Sequence, residues 1–200
     1  MIDWPDSLIP SEMSLGVSSN TKTFTSSFTN ADQTRSDPGA KVICTIKFNN
    51  LTRDKSDEIE ALLFELEGAA GRVRLWDFRA RLVSSPPPVL GAPVVSSANS
   101  MGKVLSSRGW NPSATVLRRG QWIQVGDELK RVLSDVVADP AGVASIRIAP
   151  MLRKSWPSGT HIEVRRPRGV FRLDKDSWSG DTTPGHFSTY SLSFVEAFYP

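Results

Sequence analysis

The residues with the clearest chemical potential are paired cations in the middle of the chain, interleaved with tryptophans. Guanidinium and ammonium groups contact phosphates and indole rings stack on bases, so this composition is typical of a small barrel that binds single-stranded nucleic acid. The alternative is that the cations are solvated or meet acidic neighbours, while the tryptophans fill a small core. The candidate basic surface comprises Arg118, Arg119, Lys130, Arg131, Arg153, Lys154, Arg165, Arg166 and Arg168, and the candidate aromatic contacts are Trp110 and Trp156.

Two segments come close to known catalytic or metal-binding motifs, and both depart from them. Residues 16–20 begin like a hydrolase nucleophile elbow but lack its second glycine. Residues 174–181 begin like a calcium loop, but Trp178 and Ser179 occupy its fifth and sixth positions, where an oxygen ligand and a glycine are needed. We therefore expect a solvated turn there, with no bound calcium.

The residue types that bind zinc or act as bases are scarce. The chain has two histidines, His161 and His186, and one cysteine, Cys44, so a zinc site would need mostly carboxylate ligands. A single cysteine also forms no internal disulfide. We expect no catalytic residue, no metal and no cofactor, which predicts a protein that is not an enzyme.

Charge divides the chain into three blocks. Residues 1–95 carry 10 positive and 12 negative side chains, residues 96–172 carry 13 and 5, and residues 173–200 carry 1 and 4. The basic block begins just after a proline-rich spacer at residues 83–93. This change in charge at the spacer predicts a β domain formed by residues 1–92 plus 173–200, into which a small basic β-barrel at residues 93–172 is inserted.

The N-terminal part reads as strands followed by one helix. Residues 13–17 and 21–29 favour a β-meander, and residues 41–48 alternate with Cys44 on the apolar face of a strand. Residues 53–67 then have apolar side chains at helical spacing, with Thr52 placed to cap the start and Gly68 the end. A strand over residues 72–76 follows, so the unit is strand, helix, strand.

The middle and end of the chain read as all-β. Five short runs, at residues 122–125, 129–133, 143–148, 162–165 and 170–173, have the spacing of a small barrel. A final apolar strand at residues 189–198 is predicted to return to the N-terminal sheet. The predicted fold class is mainly β with one packed α-helix: a β-sandwich or split barrel that carries the inserted small barrel.

The composition is that of an ordinary globular chain, with 39% hydrophobic and 22% charged residues. No apolar run approaches the roughly 20 residues that a bilayer-spanning helix requires. The acidic N-terminus does not resemble a secretory signal. These features lead us to expect a chain that is made in the cytoplasm and does not insert into a membrane.

The helix and its sequel, residues 57–77, resemble the signature of distal tail proteins from phages with long non-contractile tails. The resemblance extends to Trp4-Pro5 at the start and to the closing strand at residues 190–198. Residues 117–127 and 148–152 are similar to small barrel inserts of phage tail-tip proteins. About half of the chain, at its two ends, is covered by the likeness to distal tail proteins.

The resemblance implies a structural virion protein at the phage tail tip or baseplate. Distal tail proteins form hexameric rings that join the tail tube to the central hub, with inserted domains pointing outward, and assemble in the host cytoplasm. DNA passes through the ring lumen without specific binding. A strongly basic wall would retain DNA by counterion release, so we expect the inserted barrel to lie away from the channel.

Two alternatives stay open at this point. One is a nucleic-acid-binding barrel protein, in which Arg165, Arg166 and Arg168 contribute to salt-dependent binding of single strands. The other is a carbohydrate-binding module, in which an exposed Trp110 or Trp156 forms the sugar platform.

Overall fold

The computed structural model describes residues 1–79, 91–97, 100–185 and 187–198. In this part of the chain the protein is mainly β with a single α-helix, which confirms the predicted fold class at that level. The helix is α1 (Arg53–Leu66). The strands, in chain order, are β1 (Ile2–Asp3), β2 (Glu12–Ser18), β3 (Thr21–Thr25), β4 (Asp32–Ser36), β5 (Lys41–Leu51), β6 (Val73–Trp76), β7 (Gly91–Val95), β8 (Ser100–Trp110), β9 (Thr115–Leu117), β10 (Trp122–Val125), β11 (Glu128–Val132), β12 (Val136–Val137), β13 (Val143–Trp156), β14 (Ile162–Glu163), β15 (Arg168–Leu173), β16 (Gly180–Thr182) and β17 (Ser188–Glu196).

The first sheet joins the two ends of the chain. Its strand order is β1-β6-β15-β17-β5-β2, and β16 pairs with the beginning of β17. The β1–β6 pair is parallel and the other pairs are antiparallel. The last strand, β17, lies between β15 and β5, so the prediction that the C-terminal strand returns to the N-terminal sheet is confirmed.

Helix α1 follows β5 and packs on this sheet. Thr52 occupies the N-cap in extended conformation and Asp54 places a carboxylate in the first turn. The helix ends where Glu67 and Gly68 both adopt positive φ, at 48° and 68°. The helix residues that are buried against the strands of the first core are Ile59, Leu62, Leu63 and Leu66.

The second sheet is a nearly closed six-stranded barrel, where the sequence predicted a small barrel of five strands. Its order is β14-β10-β11-β13-β8-β7. The gap between β7 and β14 is bridged by backbone hydrogen bonds, because Val95 N–H donates to Thr160 O at 2.9 Å and Gly159 N–H donates to Val95 O at 2.9 Å. His161 borders this closure and pairs with Val94.

One predicted barrel strand belongs elsewhere. Residues 170–173 lie in β15, which pairs with β6 and β17 in the first sheet. Val170, Phe171 and Leu173 are buried there. The positive charge of neighbouring residues suggested the barrel, but the burial of these apolar side chains decides which sheet the strand joins. The barrel takes β7 and β8 instead, two strands whose glycine and serine content hides the alternation of a strand.

The two sheets share part of their cores. Barrel residues such as Ile123, Ile146 and Leu152 form one buried cluster. Trp122 of β10 and Leu129 of β11 belong instead to the first cluster, together with Phe171. The barrel is therefore packed directly against β15 rather than attached by a linker alone.

The predicted meander is only partly continuous. β2 joins the first sheet beside β5, but β3 and β4 form a separate two-stranded hairpin. Every residue of both strands is exposed.

Candidate functional site

The predicted basic surface divides into buried, tethered and exposed cations. Lys130 is fully buried, so its assignment to a surface is wrong. It lies on β11, on the side of that strand that faces Glu196 of the first sheet. Its Nζ is 2.8 Å from Glu128 Oε2 and 3.9 Å from Glu196 Oε1. These carboxylates offset only part of the cost of burying an ammonium group, because burial still lowers the pKa of Lys130.

Arg153 of β13 joins Lys130, Glu128 and Glu196 in a cluster of charged residues that we call the ionic junction. Its guanidinium donates to both carboxylate oxygens of Glu196, at 2.9 and 2.8 Å, and to Ala40 O at 2.6 Å. It also lies over the Phe198 ring, 3.5 Å from the centroid. Because Glu196 belongs to β17 and also accepts from the backbone N–H of Val42 at 2.9 Å, the junction ties the barrel to two strands of the first sheet.

Glu128 is the second carboxylate of the junction. It accepts from the backbone N–H groups of Arg153 and Lys154, each at 3.1 Å, and from Trp156 Nε1 at 3.2 Å. Burial alone raises the pKa of Glu128, but the Lys130 ammonium and these backbone donors outweigh burial and hold the pKa below its ordinary value. The carboxylate is therefore ionised in the folded protein at neutral pH.

Three further cations contact acidic or aromatic side chains of the same chain. Arg166 forms an ion pair with Asp6 and lies 3.1 Å from the Trp76 ring centroid. Arg168 bonds Asp3 Oδ1 at 3.0 Å. Arg131 lies over the Trp122 ring at 4.7 Å. These contacts agree with the alternative interpretation of the basic pairs, in which cations meet acidic or aromatic neighbours of the same chain.

The candidate aromatic contacts have different environments. Trp110 is 4% exposed and donates to Ser107 Oγ at 2.8 Å inside the barrel core. A stacking or sugar-platform role for Trp110 is therefore wrong, because no ligand reaches its faces. Trp156 is half-buried and lies with Lys154 at a shallow cleft on the junction, lined by Asp127, Glu128, Arg153, Lys154, Trp156, Ala197 and Phe198.

The cations that do face solvent form a different set from the one predicted. Of the predicted group, Arg118, Arg119 and Arg165 are exposed. The structure adds Lys103, Arg108 and Arg147 on β8 and β13. These three cations are isolated in the sequence, so they did not belong to the basic pairs from which the surface was predicted. Strand alternation with the buried Leu105, Ile146 and Ile148 is the signal that identifies Arg147 as outward-facing.

The most exposed apolar residues lie on the hairpin formed by residues 21–36. Phe24 is 74% exposed and Phe28, at the tip, is 98% exposed. The hairpin's own contacts are few and polar, such as Thr25 Oγ1 donating to Asp32 Oδ1 at 2.6 Å. A two-stranded hairpin without a hydrophobic face to pack on is marginally stable in water, so contacts within the described chain do little to stabilise this arm.

The other groups that the sequence analysis singled out lie in the core or in turns of the described part of the chain. Cys44 is buried, as its strand position predicted. The residues at 174–181 bring Asp176 to accept from Ala69 N–H at 3.1 Å, beside the end of the helix. No group of three or more potential metal ligands occurs among the described residues. His186 and most of the predicted spacer at residues 83–93 lie outside the described residues.

No protein-family profile matches the chain, and no curated protein matches it in sequence. Among the described residues, no helix is long and apolar enough to cross a membrane.

Proposed function

We propose that this chain is a structural subunit of a ring at the distal end of a phage tail, where it joins the tail tube to the central hub. The observation that carries the proposal is the hairpin at residues 21–36, whose strands are wholly exposed and whose tip presents Phe28. Exposed apolar side chains on a projecting arm are typical of protein–protein contact sites. Assembly is a function that such an arm serves directly.

The architecture supports the same proposal. Distal tail proteins, which the sequence resembles, have a strand that leads through an amphipathic helix and a glycine turn into another strand, in a domain that also contains the closing strand. Here β5, α1 and β6 form that unit, and β17 pairs with β5. The sheet also ends in β2, whose outer edge has no strand partner among the described residues, and such edges can be covered by another chain.

The inserted barrel has a place in this proposal that follows from its charge. Exposed cations such as Arg118, Arg119 and Arg147 would bind DNA phosphates by counterion release if they lined the channel. We therefore place the barrel on the outside of the ring, where these cations face neighbouring proteins and DNA slides past a less basic wall.

Electron microscopy of the purified chain tests the proposal. We expect annular particles with six-fold symmetry and a central opening. The double variant Phe24→Ser/Phe28→Ser should form far fewer rings, because it removes the apolar contact of the arm while leaving the buried cores intact. Phe187→Ser, which replaces a 47% exposed phenylalanine elsewhere, is the matched control and should assemble like the wild type. Compact particles without an opening, or rings unaffected by the hairpin variant, would refute this account.

A further inference from the structure

The outer face of barrel strands β8 and β13 combines cations with aliphatic side chains. Their antiparallel register places Val143 opposite Arg108, and Arg147 opposite Val104. Val104 is 51% and Val143 40% exposed, and both arginines face solvent with no ion-pair partner among the described residues. We call this set the barrel face: Val104, Ser106, Arg108, Val143, Ser145 and Arg147.

The two arginines of the barrel face are separated by a defined distance. Arg108 and Arg147 are four residues apart along the strands, which is about 14 Å at the rise of a β-strand. Ser106 and Ser145 lie opposite each other between them. Small side chains at the centre let another backbone element approach the sheet closely, with a cation at each end.

The exposed side of helix α1 has the complementary pattern. Asp57, Ala61 and Glu65 are exposed and follow one another at intervals of four residues on one helix face. The carboxylates are thus about 12 Å apart along the axis, with the small Ala61 between them. Phe64 is 71% exposed beside Glu65. Among the described residues, Asp57 has one ion partner, Arg53 at 3.9 Å, and this pair is weak because both side chains are largely solvated.

We propose that the barrel face binds helix α1 of a second copy of this chain. The carboxylates of Asp57 and Glu65 pair with the two arginines, Ala61 lies over Ser106 and Ser145, and Phe64 packs on an exposed valine. The barrel face and the helix are different surfaces, so the contact is head-to-tail and can be repeated around a ring. This inference rests on the proposed self-assembly and names one of its interfaces.

A protein partner fits the barrel face better than a nucleic acid. Single strands are held by aromatic side chains on which bases stack, and the exposed apolar residues here are Val104 and Val143. Trp110 at the end of β8 is buried. Aliphatic groups between cations match an acidic helix that carries its own apolar residue.

Charge reversal on each side, measured by sedimentation velocity of the full chain at low salt, tests the inference. The barrel variant is Arg108→Glu/Arg147→Glu, and the helix variant is Asp57→Arg/Glu65→Arg. Each alone should self-associate at least about tenfold more weakly than the wild type, because like charges then face each other. An equimolar mixture should recover the association, since each contact again pairs opposite charges. Arg165→Glu, an exposed cation outside the barrel face, is the control, and circular dichroism verifies that all variants are folded.

The possible outcomes separate this inference from the proposed function. Barrel and helix variants that associate like Arg165→Glu, or a mixture of folded variants that does not recover, overturn the inference, while annular wild-type particles keep the proposed function standing. If charge reversal weakens association and the mixture recovers it, but the wild type forms no rings, the inference is supported and the proposed ring is contradicted. A wild-type chain that stays monomeric overturns the inference, as does an oligonucleotide-binding activity that the barrel variant loses while its self-association is unchanged.

Discussion

At the scale of single residues, Cys44 and Lys130 are two reactive side chains that the fold buries. Cys44 lies on the apolar face of a strand that alternates strictly, and it is buried as predicted. Lys130 also lies on a strand, yet it was assigned to a surface because its neighbour Arg131 made it part of a basic pair. Its acidic partners, Glu128 and Glu196, are 2 and 66 residues away in the sequence. A pattern of neighbouring residues does not reveal Glu196 as a partner, because Glu196 is 66 residues from Lys130.

Cys44 should be unreactive while the protein is folded. Burial, with a smaller contribution from Asp77, raises the pKa of its thiol to about 12, although Arg79 lowers it. The thiolate is the reactive species, so a thiol reagent at pH 8 should label Cys44 only as fast as the protein unfolds. Labelling followed by mass spectrometry, with and without urea, measures this. Rapid complete labelling of the folded protein would contradict the buried position.

Glu128 should contribute stability that acid removes. Because its pKa is lowered in the folded state, the unfolded chain binds the proton more readily, and stability is lost as pH falls below the ordinary glutamate value of 4.5. Glu128→Gln should lower the free energy of unfolding at pH 7 by about 3 kcal/mol, because Lys130 loses a buried partner. The variant should also lose less stability between pH 7 and acid.

Urea unfolding across pH measures both effects of Glu128→Gln. The exposed Glu67→Gln is the control for removing one carboxylate and should match the wild type at pH 7 to within about 0.5 kcal/mol. An unchanged acid dependence in Glu128→Gln would show that the carboxylate is not stabilised by the junction.

At the scale of elements, periodicity predicted most of the fold. The helix was predicted at residues 53–67 and runs over Arg53–Leu66, because four leucines and isoleucines repeat at helical spacing. The strands at 41–48 and 189–198 were also found, in β5 and β17. β7 and β8 were missed, since glycine and serine interrupt their apolar pattern, and β15 was placed in the wrong sheet. Which sheet a strand joins depends on contacts distant in sequence, which local periodicity does not record.

The buried side of α1 should dominate the stability of the first sheet. Leu63 is 1% exposed in the first core, so Leu63→Ala leaves a cavity and should lower the free energy of unfolding by about 2–5 kcal/mol. The neighbouring Phe64→Ala, at a 71% exposed position, should cost less than about 1 kcal/mol. Urea unfolding followed by circular dichroism compares the two. Equal losses would mean that the helix does not pack as described.

At the scale of the whole molecule, the structure is a β domain and a barrel held together by buried ions. Glu196 of β17 meets Arg153 of the barrel, and Trp122 of the barrel joins the core of the first sheet. The change in charge along the sequence predicted the basic block. It did not show which cations form a surface, because Lys130, Arg153, Arg166 and Arg168 pair with acidic residues of the same chain. The exposed surfaces include an apolar hairpin, the barrel face and an acidic helix, and these are the surfaces on which the proposed assembly rests.

The mass of the purified chain in solution tests the central claim most directly. Light scattering over a wide range of concentrations, at low and high salt, measures it. The proposed ring predicts a mass that climbs toward six times 22.0 kDa as concentration rises, and a weaker climb at high salt because charged contacts are screened. A mass of 22.0 kDa at every concentration and both salt levels would contradict it.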